Sequence, residues 1–261
     1  MESPPPGNLA LVLEYEGTRY HGFQYQVGVP TIQGDIERAL AKITGERIRT
    51  VGAGRTDAGV HAKGQVISFS TFSNLRPQTL VRALNFYLRP DIAVKAVSRV
   101  ESNFNARRDA LSREYRYMIL NGPAPSPLHQ RDAYYVPAAL DIDAMNHVCQ
   151  YLVGSHDFAS FTGPTGRRTV REVYKAEVSR EEELVFFDMV ANSFLSKQVR
   201  CTVGSLIRVG LGKLTAEEFR EIMQVKRPGL AAPVVPPQGL CLMKVNYPQN
   251  KLGKGQLDEN L

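Results

Sequence analysis

A glycine-rich loop in the first quarter of the chain carries the residue types best suited to chemistry. The segment GAGRTDAGVHAKG places Arg55 two residues before Asp57. Gly52, Gly54 and Gly59 allow positive φ angles or a close approach of the backbone to a ligand. Functional residues concentrate on loops that a rigid sheet supports. The segment therefore predicts a carboxylate held against a substrate, although a tight strand connection tied by an Arg–Asp pair explains the same residues.

The sequence argues against several other kinds of functional site. The loop begins as GxG, but its sixth position is Asp57 and it leads into a strand, so it is not a dinucleotide-binding loop. No GK[ST] follows for phosphate binding, and no GxSxG supplies a serine nucleophile. The histidines, which include His61, show no HExxH or HxH spacing, so we expect no metal site. Cys149 falls on the apolar face of a predicted helix, which favours a buried thiol. We expect no cofactor.

Basic residues are unevenly distributed along the chain. Between Arg76 and Arg116 there are nine basic and four acidic residues, so this stretch carries +5 of the net charge of +6. A second basic group comprises Arg167, Arg168, Arg171 and Lys175. Because arginine binds phosphate in a bidentate manner, these groups favour a nucleic-acid partner. Solvated surfaces explain such clusters just as often.

The segment REYRYMIL predicts a strand that interleaves arginine and tyrosine. Because side chains alternate along a strand, Arg113, Tyr115 and Tyr117 share one face. A tyrosine flanked by arginines can stack on a base while the arginines hold phosphates. A half-buried tyrosine of the sheet is the plain alternative.

The elements that would carry these residues follow the order β-α-β-β-α-β in the first half. Alternation from Leu9 to Leu13 predicts a strand, and Ile32, Ile36 and Leu40 predict a helix behind a Thr cap. A short strand at 48–51 precedes the loop, and QVISF follows it. A helix near 80–88 and the strand DIAVKAV complete the half.

The second half repeats this order. REYRYMIL is followed by a helix capped by Asp141, the strands VREVYKAEV and LVFFDMV, a helical stretch from Leu195 to Leu206, a short helix behind Thr215, and the closing strand GLCLMKVNY. The order is that of the split βαβ unit, used twice. It predicts an α+β protein with two ferredoxin-like lobes whose antiparallel sheets join around a cleft. We expect the lobes at 1–105 and 106–250, and a frayed tail at 251–261.

Composition fits a globular protein of one large or two small domains. The 261 residues are 43% hydrophobic and 22% charged. Three cysteines, odd in number and far apart, predict neither disulfides nor a CxxC motif, and so a reducing compartment. No signal peptide or membrane span is visible. We expect a cytoplasmic protein.

The loop residues resemble the tRNA pseudouridine synthase A family. Within GRTDAGVHAKGQV, residues 54–66, eight consecutive positions match the GRTDAGVH signature. The similarity continues through EYEGTRYHGFQYQ, TIQGDIERAL, FNARRDALSREYRY, HDFASF, ANSFLSKQVRCTVGSL and GLCLMKVNYP, and it covers roughly residues 9–248. The resemblance implies a pseudouridine synthase fold with a basic cleft, and a homodimer. It implies conversion of uridine to pseudouridine in the anticodon arm of tRNA, at positions 38, 39 and 40, without a metal or organic cofactor.

The resemblance also implies roles for individual residues. Asp57 matches the family's catalytic nucleophile, and Arg55 the arginine of its motif. Tyr115 matches the tyrosine that stacks on the target uracil. Arg200 matches the arginine that pairs with the catalytic carboxylate. Arg107, in the FNAR segment, matches a residue that contacts tRNA phosphate.

Four positions depart from the family pattern. Asn105 stands where FHAR is usual, and Phe23 where Trp is frequent. Gln198 and Cys201 replace a more usual Met and Asn around Arg200.

The reaction implied needs little chemistry from the protein. The C1′–N1 glycosidic bond breaks, the uracil turns, and C5 joins C1′, so one carboxylate in a pocket without water suffices. An ionised Asp57 can attack the sugar, attack the base, or remove a sugar proton, and the sequence leaves all three open. A nearby arginine would keep this carboxylate charged.

Two non-catalytic functions, both of which bind RNA, are alternatives to the synthase. One is an inactive tRNA-binding relative, and the other is a tandem RRM-like RNA-binding module with two ferredoxin-like lobes. In KGQVISF, Gln65 and Ile67 occupy the positions where an RRM places its stacking aromatics. The segment therefore lacks the aromatic side chains that an RRM stacks on bases.

Overall fold

The structure, a computed structural model, describes residues 6–231, 233–249 and 251. It forms two compact units. The first comprises the chain up to Leu111 and again from Leu242, and the second is Ser112–Cys241. The predicted boundary after residue 105 lies close to this division, whereas the predicted lobe 106–250 includes a last segment that returns to the first unit. The predicted tail 251–261 lies outside the described residues except for Lys251, whose Nζ lies 3.0 Å from a carboxylate oxygen of Glu101.

The first unit has the predicted order β-α-β-β-α-β. Its elements are β1 (Gly7–Tyr15), α1 (Ile32–Thr44), β2 (Val51–Gly52), β3 (His61–Thr71), α2 (Pro77–Tyr87) and β4 (Ile92–Val100). β1 pairs antiparallel with β3 on one side and with β4 on the other. β2 pairs with β3 and leads directly into the glycine-rich loop. The loop is thus carried by two paired strands.

Helix α1 begins and ends where its sequence predicts. The Thr31 hydroxyl accepts the Gly34 N–H at 3.2 Å, and Gly45 ends the helix with a φ of 74°. Ile36 and Leu40, four residues apart, are completely buried. The helix therefore covers the core of the first unit with its apolar side.

The second unit is built on an antiparallel sheet in the order β5-β9-β8-β7. Its elements are β5 (Ser112–Leu120), β6 (Tyr134–Tyr135), α3 (Ile142–Cys149), β7 (Gly154–Asp157), β8 (Val170–Glu181), β9 (Leu184–Ala191), α4 (Gln198–Gly210) and α5 (Ala216–Val225). α3 packs against β8 and α4. Asp141 caps α3, and Thr215 with Glu218 forms the predicted capping box of α5. The thiol of Cys149 is buried, and burial raises its pKa to about 12, as expected for a structural cysteine.

The structure differs from the sequence-based elements at several places. β3 begins at His61 instead of Gln65, and β6 and β7 were not predicted. The short strand expected at 48–51 is limited to Val51–Gly52. The helical stretch expected from Leu195 begins only at Gln198, because Lys197 before it has a φ of 61° and lies outside the right-handed helical region. The closing strand β10 (Leu240–Asn246) starts in the second unit, continues into the first, and is a neighbour of β3. Hydrophobic periodicity predicts that a strand exists but not which strands it pairs with.

Candidate functional site

Backbone hydrogen bonds fix the loop that carries Asp57. At its start the Ala53 N–H donates to Val66 O at 2.8 Å. At its end the Val60 N–H donates to Asp57 O at 3.2 Å, closing a turn in which Gly59 has a φ of 78°. A non-glycine residue would be strained at that angle. Asp57 is half-buried, so its carboxylate stands at the surface of a rigid turn.

Side chains and backbone from β1 and the following segment also hold the loop. The Phe23 N–H donates to Thr56 O at 3.1 Å, and the hydroxyls of Tyr15 and Thr56 lie 2.8 Å apart. The Gln65 amide donates to Gly54 O at 3.1 Å. Thr56 is therefore tied inward, which leaves Arg55 exposed on one side of it and Asp57 half-buried on the other.

Tyr20 connects the loop to helix α1. Its carbonyl accepts the Gly59 N–H at 3.3 Å, and its hydroxyl donates to Asp35 at 2.9 Å. Burial, followed by the hydrogen bond to Asp35, raises the pKa of Tyr20, so the hydroxyl remains a donor at neutral pH. The turn next to Asp57 is thus anchored to helix α1.

Three glycines outside the turn allow other backbone segments to reach it. A Cβ on Gly22 would lie 2.8 Å from Thr56 O, and this glycine has a φ of 92°. A Cβ on Gly17 would collide with Val60 O, and one on Gly52 with the Phe23 ring. The loop position therefore depends on missing side chains as well as on hydrogen bonds.

His61 supports the same region and was not singled out from the sequence. It is buried, and its Nδ1 accepts the Gly17 N–H at 3.0 Å. Glu16 Oε1 lies 3.6 Å from the same nitrogen. His61 directly follows Val60 of the loop in the sequence, and this position could have pointed to it. The spacing between histidines could not, because it tests only for a metal site.

Arg107 lies on a pinned segment of the first unit. Ala106 is fully buried, its N–H donates to the Ser68 hydroxyl at 3.1 Å, and its carbonyl accepts from the Tyr247 hydroxyl at 2.6 Å. The Asn105 side chain accepts the Arg107 N–H at 3.0 Å. The Asn105 side chain thus caps the backbone that presents the exposed Arg107 side chain.

Arg108 is engaged within its own segment. Its Nε donates to Asp109 at 3.1 Å and its Nη2 to Asn103 O at 2.7 Å. The Asn105 N–H and then Arg108 lower the pKa of Asp109, so the carboxylate is charged at neutral pH. Arg108 is therefore held within its own segment.

Tyr115 occupies the middle of β5 in the second unit. It lies opposite Met189 of β9 and is 8% exposed. As the alternation predicts, Arg113 and Tyr117 are buried on the same side of the strand. The Phe194 ring meets the Tyr115 ring edge-on, with centroids 5.0 Å apart and planes at 82°. Sequence reasoning did not single out Phe194, which stands in the matched segment ANSFL.

Arg200 stands in the first turn of α4. Its Nε donates to Val235 O at 2.8 Å, and the Val235 N–H points back to Arg200 O at 3.5 Å. A Cβ on Gly204, one turn further along α4, would collide with Pro233 O, so only glycine lets this segment come so close. The guanidinium of Arg200 is thus oriented by a segment pressed against its own helix.

The sequence-predicted site residues fall into two sets. Asp57, Arg55 and Arg107 belong to the first unit, and Tyr115 and Arg200 to the second. Arg167 and Arg168 are exposed on the loop before β8. In the described ranges no three His, Cys, Asp or Glu side chains converge as metal ligands, and no described helix is long and apolar enough to cross a bilayer.

The geometry disfavours readout by an RRM-type surface. Gln65 and Ile67 are fully buried on β3, and the Gln65 amide is used by the glycine-rich loop. Neither side chain can stack on a base. The two paired strands carry the glycine-rich loop instead.

Comparison with known proteins identifies the family. The family model for tRNA pseudouridine synthase matches residues 11–108 and 148–248. The chain belongs to this family. The tRNA pseudouridine synthase A of Acetivibrio thermocellus is 39% identical over 242 residues, covering 92% of this chain and 99% of that one. That of Roseiflexus castenholzii is 44% identical over 248 residues, covering 93% and 92%. A chain of a Cbf5–Nop10–Gar1 complex is 12% identical, with a TM-score of 0.36, over 89% of this chain and 57% of that one.

Membership of the tRNA pseudouridine synthase family defines the reaction. The chain is an isomerase that converts uridine to pseudouridine in tRNA. The matched ranges include the Asp57 loop in the first part and Arg200 in the second. Tyr115 lies between the two matched ranges, so its role rests on the sequence resemblance and on its place in β5.

Proposed function

We propose that the chain isomerises uridines at positions 38, 39 and 40 in the anticodon arm of tRNA, with Asp57 as nucleophile. The observation that carries this proposal is the turn around Asp57, which hydrogen bonds, a left-handed glycine and three close glycine contacts hold in one conformation. A nucleophile on a rigid turn reacts without first losing conformational freedom. The GRTDAGVH signature lies on this turn.

The remaining roles follow from charge and ring chemistry. The target uridine leaves the helical stack, at a cost of a few kcal/mol. Tyr115 stacks on its uracil and returns ~1–3 kcal/mol. Arg55, two residues before Asp57, supplies positive charge that favours an ionised carboxylate. The same role for Arg200 rests on the family resemblance alone. Arg107 binds a backbone phosphate. No metal or organic cofactor takes part.

We also propose that the chain acts as a homodimer in the cytoplasm. The homodimer rests on the family resemblance, and the cytoplasmic location on three cysteines without a disulfide framework. Sedimentation equilibrium of the pure protein tests the dimer, and a monomer at micromolar concentration would contradict it.

Mapping pseudouridine in tRNA after incubation with the pure protein tests the proposed function. Unmodified tRNA transcripts are treated with the wild-type chain, and pseudouridine is located by carbodiimide modification and primer extension. We expect new pseudouridine in the anticodon arm only. A transcript with cytidine at positions 38–40 is the matched control and should acquire none. Pseudouridine confined to another arm would overturn the positions, and its complete absence would indicate an inactive tRNA-binding relative.

A further inference from the structure

The segment between β9 and α4 carries an aromatic side chain that the proposed mechanism does not use. Phe194 presents its ring to the ring of Tyr115 in an edge-to-face contact, with centroids 5.0 Å apart. Such pairs prefer this mutual orientation because the positive edge of one ring meets the negative face of the other. Tyr115, only 8% exposed on a paired strand, has little room for a different ring position.

The N-terminal end of this segment, Asn192, is fixed to two strands. Arg113, on β5, donates from Nη1 to Asn192 O at 2.8 Å. The Asn192 N–H donates to Glu172 O at 3.0 Å, and the Glu172 N–H donates to the Asn192 side chain at 3.3 Å. Asn192 thus stays in register with β5 on one side and β8 on the other.

The C-terminal end of the segment is fixed to the start of α4. The Leu195 N–H donates to Gln198 Oε1 at 2.8 Å, and the Gln198 N–H donates to Leu195 O at 3.2 Å. The Thr162 hydroxyl donates to Ser196 O at 3.0 Å. Phe194 therefore sits between two ends that cannot move independently of the sheet and the helix.

Gln198, the first residue of α4, links this helix to the segment. Its side chain is fully buried, and among the described residues its Nε2 has no hydrogen-bond partner. A buried amide donor without a partner is unfavourable. The oxygen of the same amide accepts the Leu195 N–H, which a methionine side chain could not do. Gln198 thus leaves its Nε2 donor unpaired within the described part of the chain but fixes the segment to the helix.

We propose that Phe194 is a positioning residue that holds the Tyr115 ring where it stacks on the target uracil. This inference rests on the proposed function. Phe194 acts through Tyr115 and touches no substrate atom. Stacking on a displaced base requires a ring plane fixed in advance, because a mobile ring would lose conformational freedom at the moment of stacking.

A double-mutant cycle on the full-length protein tests the proposal. Single-turnover rates of pseudouridine formation are measured with excess enzyme for wild type, Phe194→Leu, Tyr115→Leu and the double variant. We expect Phe194→Leu to lower the rate by roughly tenfold while the Kd for tRNA stays within about twofold. In the Tyr115→Leu background the Phe194 change should have no further effect, since there is no ring left to position. Multiplicative losses in the double variant would overturn the proposal.

Two further variants separate positioning from a general loss of packing. Phe194→Tyr keeps the ring edge and should restore the rate to within about threefold of wild type. Phe158→Leu removes a ring from another edge contact of the same unit, with Phe161 at 5.9 Å, and should lower the melting temperature but not the rate. Equal rate losses for Phe158→Leu and Phe194→Leu would contradict the proposal. Wild-type protein that forms no pseudouridine would refute the proposed function itself, whereas active wild type with a fully active Phe194→Leu would refute only the positioning role.

Discussion

The Asp57 loop and the Tyr115 strand hold their key residues by different means. Backbone hydrogen bonds hold Asp57, together with glycines that admit neighbouring segments. Tyr115 lies on a paired strand, opposite Met189, and its ring meets the ring of Phe194. A carboxylate that reacts needs a fixed backbone, whereas a ring that stacks needs a fixed plane. The two regions should therefore fail under different kinds of substitution.

The largest expected effect is at the carboxylate. Asp57→Asn keeps the size of the side chain and removes its charge, so turnover should fall by about 10³-fold or more. The affinity for tRNA should stay within about threefold, because the loop backbone is unchanged. Tritium release from C5 of labelled uridine in tRNA measures the reaction. Appreciable release by the variant would remove Asp57 from the role of nucleophile.

The tyrosine should show a smaller but still strong effect. Tyr115→Ala removes a stacking contact of ~1–3 kcal/mol, which corresponds to a loss of turnover of about 5- to 150-fold. The dependence of tRNA binding on salt should not change, because the substitution removes no charge. Tyr117→Phe is a matched control, since it removes only the hydroxyl that donates to Pro236 O at 2.8 Å. A loss of turnover in Tyr117→Phe as large as in Tyr115→Ala would show that the whole strand, not the one ring, is at stake.

The third-largest effect is expected at Gly22, which supports the loop and has no proposed contact with the substrate. Gly22→Ala places a Cβ against Thr56 O and strains a φ of 92°, at a cost of about 1–3 kcal/mol of unfolding free energy. We expect turnover to drop by about tenfold as the Asp57 turn shifts. Urea unfolding and single-turnover rates measure the two effects. Gly163→Ala, which meets open space, should change neither, and an unchanged rate in Gly22→Ala would show that the turn holds its position without this contact.

The smallest effects per residue are expected at the exposed arginines. Replacing Arg107, Arg108, Arg167 and Arg168 with Ala should weaken binding to all tRNAs and flatten the slope of log K against log[salt]. Removing one arginine that binds a phosphate reduces the slope by up to about one unit. The contribution of Arg108 should be small, because it already bonds to Asp109 and to Asn103 O.

Acid-paired arginines provide the control for this experiment. Arg38 and Arg49 pair with Asp35 and Glu37, so the double Ala variant removes the same charge per residue, but only from cations that acids already neutralise. Its slope should stay close to that of wild type. An unchanged slope in the quadruple variant would assign phosphate binding to other arginines, such as Arg76, Arg82 and Arg113.

The sequence predicted most of the elements and the family signature around Asp57 because their signals are local. Thr31 and Gly45 bound α1 through contacts within a few residues, and the Asp57 signature is contiguous. Phe194 and His61 went unnoticed because their roles depend on partners far away in the chain, Tyr115 and Gly17. Helix α4 is shorter than predicted because Lys197 has a positive φ. Hydrophobic periodicity does not reveal the backbone angle of a single residue. The path of β10 was missed for a similar reason, since a strand's partner is a long-range choice.

The route of β10 has a consequence for how the chain is made. Residues from Leu242 onward leave the ribosome after the whole second unit, yet they complete the first, beside the strand that follows the Asp57 loop. Until then β3 lacks this neighbour along one edge, and open strand edges invite pairing with other chains. Nascent protein therefore exposes this edge of β3, the strand that follows the Asp57 loop, until β10 has been translated.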